Sequence, residues 1–305
     1  RYRDPPARTG SEIVTFNLSK DAVLIRLTVG CWNGIRAARE VSEEMARRHG
    51  EGTVKASVQL LRDADRKPLQ KTAAAIRSFF YSRSLPFEDG GWRIIRVDRI
   101  VVTVRDIWSM IREYDIQVAD WTERYRETKK ACREKLCDLF DFVRFPSKEE
   151  LLSLYHASYQ IRPIATADMF DLPGVPEWSV GTMRNSLRLH QSHQIQAAQA
   201  DIIARLRAAV ENMATRLGKD GGLFRDSLIS NIKELCDTLP DLNLTRDAHL
   251  DMMISATKKT LCDYNPEQLR VDGETRKEAA RMATRIVELL DKFNGKESHG
   301  SENTG

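Results

Sequence analysis

The feature that most constrains this chain is an apolar seam formed by Ile107, Ile111, Tyr114, Val118, Trp121 and Tyr125 and continued by Cys132 and Leu136. Its steps of four and three alternate through Tyr125, which puts these side chains on one stripe of an α-helix in a heptad-like repeat. Thr103, with Asp106 three residues on, supplies a capping-box start. A helix from there to Phe142 would exceed about 50 Å at about 1.5 Å per residue. A rod of that length needs a partner along its stripe. The six seam residues are therefore the expected self-association surface of a homo-oligomer, because the seam outruns what a short neighbour in the same chain could cover.

Before the seam, in residues 1–105, the pattern is mixed α and β. Two β-prone runs between Ile13 and Val29 flank Leu18, Ser19, Lys20 and Asp21, whose Ser and Asp suit the turn of a hairpin. A helix is expected near Ile35 to Arg48, and a strand where Val54, Ala56, Val58 and Leu60 alternate with polar residues. Residues 68–81 read as helix, and Leu85 to Trp92 as a turn feeding the β-branched stretch Arg93 to Val104.

After the seam, Ser147 and Glu150 mark a short helix behind Pro146, so residues 106–161 hold the long helix and a short one. The Pro-spotted residues 162–177 read as a connector. Residues 178–295 read as a bundle of helices: Trp178 to Leu217, Leu223 to Thr238 stopping before Pro240, Arg246 to Cys262 capped by Thr245, and Glu274 to Phe293 ending at Gly295. The Gly- and Ser-rich residues 296–305 are expected to be disordered. The fold class is mainly α, with a small mixed α/β N-terminal region, a long central helix and a C-terminal helical bundle.

With 41% hydrophobic and 30% charged residues in 305, the chain is neither collagenous nor low in complexity. Its aliphatic runs are a few residues long against the about 20 that span a bilayer, so no membrane is expected. The formal charge of +4 is too small to imply nucleic acid by itself. Its distribution is uneven: residues 1–150 hold 29 basic and 23 acidic residues, a balance of +6, and residues 151–305 hold 19 and 21, a balance of −2. Five scattered cysteines predict a reducing, intracellular compartment rather than a disulfide framework. The chain opens at Arg1 without Met or the hydrophobic core of a leader, which leaves its natural start and a cleaved leader open.

Three constellations could carry chemistry. Arg77, Arg83, Trp92, Arg93, Arg96 and Arg99, interleaved with Phe79, Phe80, Tyr81 and Phe87, have the composition of a single-strand nucleic-acid groove, where cations track phosphates and aromatic rings stack bases. The competing reading packs the aromatics in the core and pairs the arginines with Glu88, Asp89 and Asp98. Asp63 and Asp65, two apart on an extended segment, would point the same way and with Asp98 could hold a divalent cation for phosphoryl chemistry; the same residues suit a helix start. His190 and His193 lie three apart on a helix, with no Glu or Cys nearby to complete a ligand set. No Gly-rich phosphate loop, nucleophile elbow or dinucleotide fingerprint is present. The sequence therefore names no catalytic residue, no metal ligand set and no cofactor.

Three segments, Ile76 to Ile95 (IRSFFYSRSLPFEDGGWRII), Phe145 to Glu150 (FPSKEE) and Leu223 to Asn243 (LFRDSLISNIKELCDTLPDLN), together resemble a family of uncharacterised tailed-bacteriophage and prophage proteins. The resemblance spans most of the chain. Where the family has Trp after Leu-Pro, this sequence has Phe87. The resemblance implies a phage context and the cytoplasm of a bacterial host, and brings no activity or site residues. The sequence thus points to a non-enzymatic phage protein acting through self-assembly and phage or host protein partners, in phage DNA metabolism or development. The alternative is a single-stranded nucleic-acid-binding or annealing protein, and a metal-dependent nuclease ranks third.

Overall fold

The run from Ala22 to Gly30 carries aliphatic side chains on both faces, as a strand covered on two sides does. In a computed structural model, which describes residues 16–50, 55–136, 145–169, 172–219 and 224–300, this run is β1 (Ala22–Gly30). It lies inside a four-stranded antiparallel sheet of order β4 (Leu85–Glu88), β5 (Trp92–Arg96), β1, β6 (His156–Arg162). The expected N-terminal hairpin is corrected. Leu18–Asp21 is α1, a single helical turn capped by the Asn17 side chain, and β1 pairs with β5 and β6 instead. Ile13 to Thr15 lie outside the described residues. A second, two-stranded ladder joins β2 (Ile35–Ala37) to β3 (Ser57–Gln59), with α2 (Arg39–His49) between them.

The β-branched stretch after Trp92 divides. Only Trp92–Arg96 is strand, and Val97–Glu123 is helix α4. Strand propensity is overridden by burial, because Ile100, Val104, Ile107 and Ile111 at helical spacing meet the sheet. Thr103 is consequently a buried residue inside the helix and not its cap. The rod also breaks, since α4 stops at Arg124 and α5 (Tyr125–Leu136) follows; residues 137–142 lie outside the described residues.

The seam is covered from within the chain. Ile107 and Ile111 pack with Ile25, Phe80 and Ile95, and Tyr114, Val118, Trp121 and Tyr125 pack with residues of α3 (Asp63–Ser82), α6 (Lys148–Leu154) and Tyr155. All six are buried. The expectation that this seam joins copies is corrected: the sheet and two flanking helices cover it, so it offers no free apolar surface. The capping box at Ser147 and Glu150 is formed as the spacing predicts.

The other face of the sheet, with Ala22, Leu24, Leu85, Phe87 and Ile94, packs on the bundle through α7 (Glu177–Leu217). The rest of the bundle is α8 (Ser227–Leu242), α9 (Ala248–Leu261), α10 (Pro266–Val271) and α11 (Gly273–Gly300). Several boundaries differ from expectation. α8 continues through Pro240 in its last turn, and Asp247 rather than Thr245 caps α9, accepting from the backbone N–H groups of His249 and Leu250. α11 runs past Gly295 to Gly300, so the first part of the tail expected to be disordered is helical. The fold is mainly α, and no helix among the described residues is long and apolar enough to cross a membrane.

Candidate functional site

The arginines of the expected nucleic-acid groove are engaged by the protein's own carbonyls and carboxylates, though Arg83 and Arg99 stay partly exposed. Arg77 donates to the Val29 carbonyl at 2.6 Å. Arg93 donates to Ser84 Oγ and to the Ser84 carbonyl, both at 2.7 Å, and lies over the Tyr81 ring. Burial, reinforced by neighbouring Arg205, lowers the Arg93 pKa to about 10. Arg96 pairs with Asp98 and donates to the Pro240 and Asn243 carbonyls at the C-terminal end of α8. Arg99 meets Asp241 at 2.8 Å and Arg83 approaches the same carboxylate at 3.9 Å. Cations are favoured where a helix ends in unsatisfied carbonyls, so Arg96 and Arg99 fasten the sheet region to the bundle. Arg205 of α7, missed in the sequence, does the reciprocal work by donating to the Tyr81 and Ser84 carbonyls at the end of α3, at 2.8 and 2.9 Å.

Trp92 is half-buried, with the guanidinium groups of Arg26 and Arg162 over its ring at 4.9 and 4.1 Å. The ring surface a base would need is occupied by the protein's own cations. The structure does bring Arg83, Arg96 and Arg99 together, around Asp98 and Asp241, and leaves Arg77 apart, on α3 beside the end of β1.

The carboxylate reading is also corrected. Asp63 and Asp65 stand in the first turn of α3, where residues two apart point about 200° apart. Asp63 pairs with Arg66 and Lys67, whose hydrogen bonds lower its pKa to about 2, and Asp65 pairs with Arg62. Burial works to raise the Asp98 carboxyl, but Arg96, Arg99 and Arg246 outweigh it and hold the pKa below the ordinary value. No group of three or more metal-ligating side chains occurs among the described residues. His190 and His193 are exposed on α7. Cys132 is buried, and Cys137 lies outside the described residues.

Beside Asp98 lies a cleft of about 210 Å³ between α1, the start of α4 and the turn from α8 to α9, lined by Lys20, Asp21, Arg96, Asp98 and Arg246 among others. Its charges neutralise one another, as in the pairing of Asp98 with Arg96 and Arg246. A second group of cations differs. Arg216 and Arg225 line a cleft of about 370 Å³, and Arg281 and Arg285 a groove of about 420 Å³, on either side of the last turns of α7. Among the described residues, none of these four arginines has an ion pair. Helical spacing of Arg281 and Arg285 was the signal in the sequence.

Large exposed apolar side chains occur on several elements, two of them the long helices α4 and α7. Val97, Val101 and Trp108 stand on the outer side of α4, with Val101 75% exposed. Trp178 and Leu189 stand on α7, Trp178 at 77%. β6 itself was missed in the sequence, although Ala157, Tyr159 and Ile161 alternate with Ser158, Gln160 and Arg162 in strand period. No protein-family model, curated protein or solved structure matches the chain.

Proposed function

We propose that this is a non-enzymatic protein that works by self-assembly and by binding protein partners, in the DNA metabolism or development of a bacteriophage. One observation carries the reading: two long helices keep large apolar side chains exposed on their outer faces, a row of three on α4 and a pair on α7. Val97, Val101 and Trp108 fall within about 40° of one another around α4, and Trp178 and Leu189 within about 20° around α7, at about 100° per residue. Of residues 177–197 in α7, Val180 alone is buried. Grouped exposed apolar surface of this kind marks interaction sites in proteins. The phage context rests on the resemblance of the three sequence segments. Light scattering at tens of micromolar tests the reading: the expected mass is at least twice the 34.8 kDa of one chain, and a strict monomer contradicts it.

A second reading, single-strand nucleic-acid binding, is favoured by the four arginines without ion pairs and moves to them from the Arg and Trp element. If they contact phosphates, Arg281→Gln with Arg285→Gln flattens the log-log salt slope by about 1.4 units at about 0.7 per contact. An unchanged slope removes this reading.

A further inference from the structure

The sheet has two edges, and among the described residues only one is protected. β4 carries Pro86 and a break in register between Pro86 and Glu88, and α7 packs against it, so that edge is a poor template for another strand. β6 has neither device. Its seven residues, without proline or lysine, pair with β1 on one side, and no other strand of the described residues pairs on the other. Ser158, Gln160 and Arg162 are exposed, and so is Ile161, at 46%.

We infer that β6 joins two copies of this chain, by antiparallel pairing with β6 of the second copy about a two-fold axis at Tyr159. This rests on the self-assembly reading above and names its surface. The strand is self-complementary about that residue. Ser158 stands opposite Gln160, Ala157 opposite Ile161 and His156 opposite Arg162, so polar side chains meet polar ones, apolar meet apolar, and no two arginines or carboxylates face each other. The axis is normal to the sheet, which places both copies of α4 on one face of a continuous eight-stranded sheet.

The apolar row of α4 then contributes. Val104 and Ile111 pack in the same cluster as Ala157 and Tyr159. α3 holds the opposite flank of α4, where Thr72 donates to Gln117 at 2.7 Å. Val101 and Trp108, on the flank of α4 away from α3, are the exposed side chains that this pairing would bring towards their counterparts, whereas Val97 lines the cleft beside α1. A stable interface buries about 1,200–2,000 Å², which a seven-residue ladder reaches only with such a second contact.

The test is a cysteine at the axis. Tyr159→Cys in the full chain, oxidised mildly and mapped by mass spectrometry, is expected to give a disulfide between two copies of residue 159, because directly opposed strand residues lie within disulfide reach. Gln160→Cys alone is expected to give much less, and to link efficiently when mixed with Ser158→Cys. Because Tyr159 is half-buried, Ile161→Lys provides an independent arm on an exposed side chain: it should weaken the dimer at least tenfold with the melting temperature retained. An oligomer that shows neither the disulfide at position 159 nor sensitivity to Ile161→Lys overturns the edge pairing and leaves self-assembly standing. A monomeric wild-type protein overturns both.

Discussion

Tyr114 donates its phenol proton to the Gly30 carbonyl at 2.7 Å, inside a core that leaves the residue no exposure. Tyr155, just past α6, donates to the Trp32 carbonyl and Tyr125 to that of Pro146, so three buried phenols tie distant parts of the chain together. Tyr114→Phe removes a donor and strands a carbonyl, and should lower stability by about 1–3 kcal/mol in urea denaturation. Burial raises the pKa of all three phenols, that of Tyr125 to about 12, and raises the Cys236 thiol to about 12. Groups whose folded pKa lies above the unfolded value contribute stability that is complete below the unfolded pKa and is lost as pH rises towards the folded one. The urea midpoint should thus hold steady from neutral pH to about 8 and fall between about 9 and 12, starting where unfolded thiols and phenols ionise. A midpoint unchanged at pH 11 contradicts this placement of the tyrosines.

At the scale of elements, the buried seam sets the expectation. Trp121 packs at a tilt against Tyr125 and Tyr155, with ring centroids 5.5 and 5.2 Å away, and its indole N–H has no hydrogen-bond partner among the described residues. Trp121→Ala should cost about 3–5 kcal/mol and leave the molar mass of the folded protein unchanged, while Trp121→Phe costs less because no hydrogen bond is lost. A large change in mass at constant stability would return the seam to an interface. The helices were readable because their stripes are long: α7 was located to within one residue by its apolar spacing and by Gly218 beyond it. Boundaries set by tertiary contact were not. Val97 to Val104 has strand composition and becomes helix because its helical stripe meets the sheet. β6 was hidden by brevity, since seven alternating residues follow directly on a well-capped helix and look like its tail.

At the scale of the whole molecule, the element that looks most like a binding groove joins the sheet region to the bundle. The sequence shows Arg83, Arg96 and Arg99 as charges next to aromatics. It cannot show that their acceptors, Asp241 and the end of α8, lie far along the chain. By contrast, the exposed apolar side chains of α4 and α7 and the outer edge of β6 are left uncovered by the described residues. The arginine element thus serves the protein's own structure, and association is expected to use these outer surfaces. The most direct measurement is thermal melting together with single-strand DNA titration at two salt concentrations, on the wild type and on Arg96→Gln with Arg99→Gln. The expected result is a variant that melts several degrees earlier and responds to single-strand DNA as the wild type does at both salt concentrations. A variant with an unchanged melting temperature, weaker DNA binding and a slope flattened by about 1.4 units would contradict it.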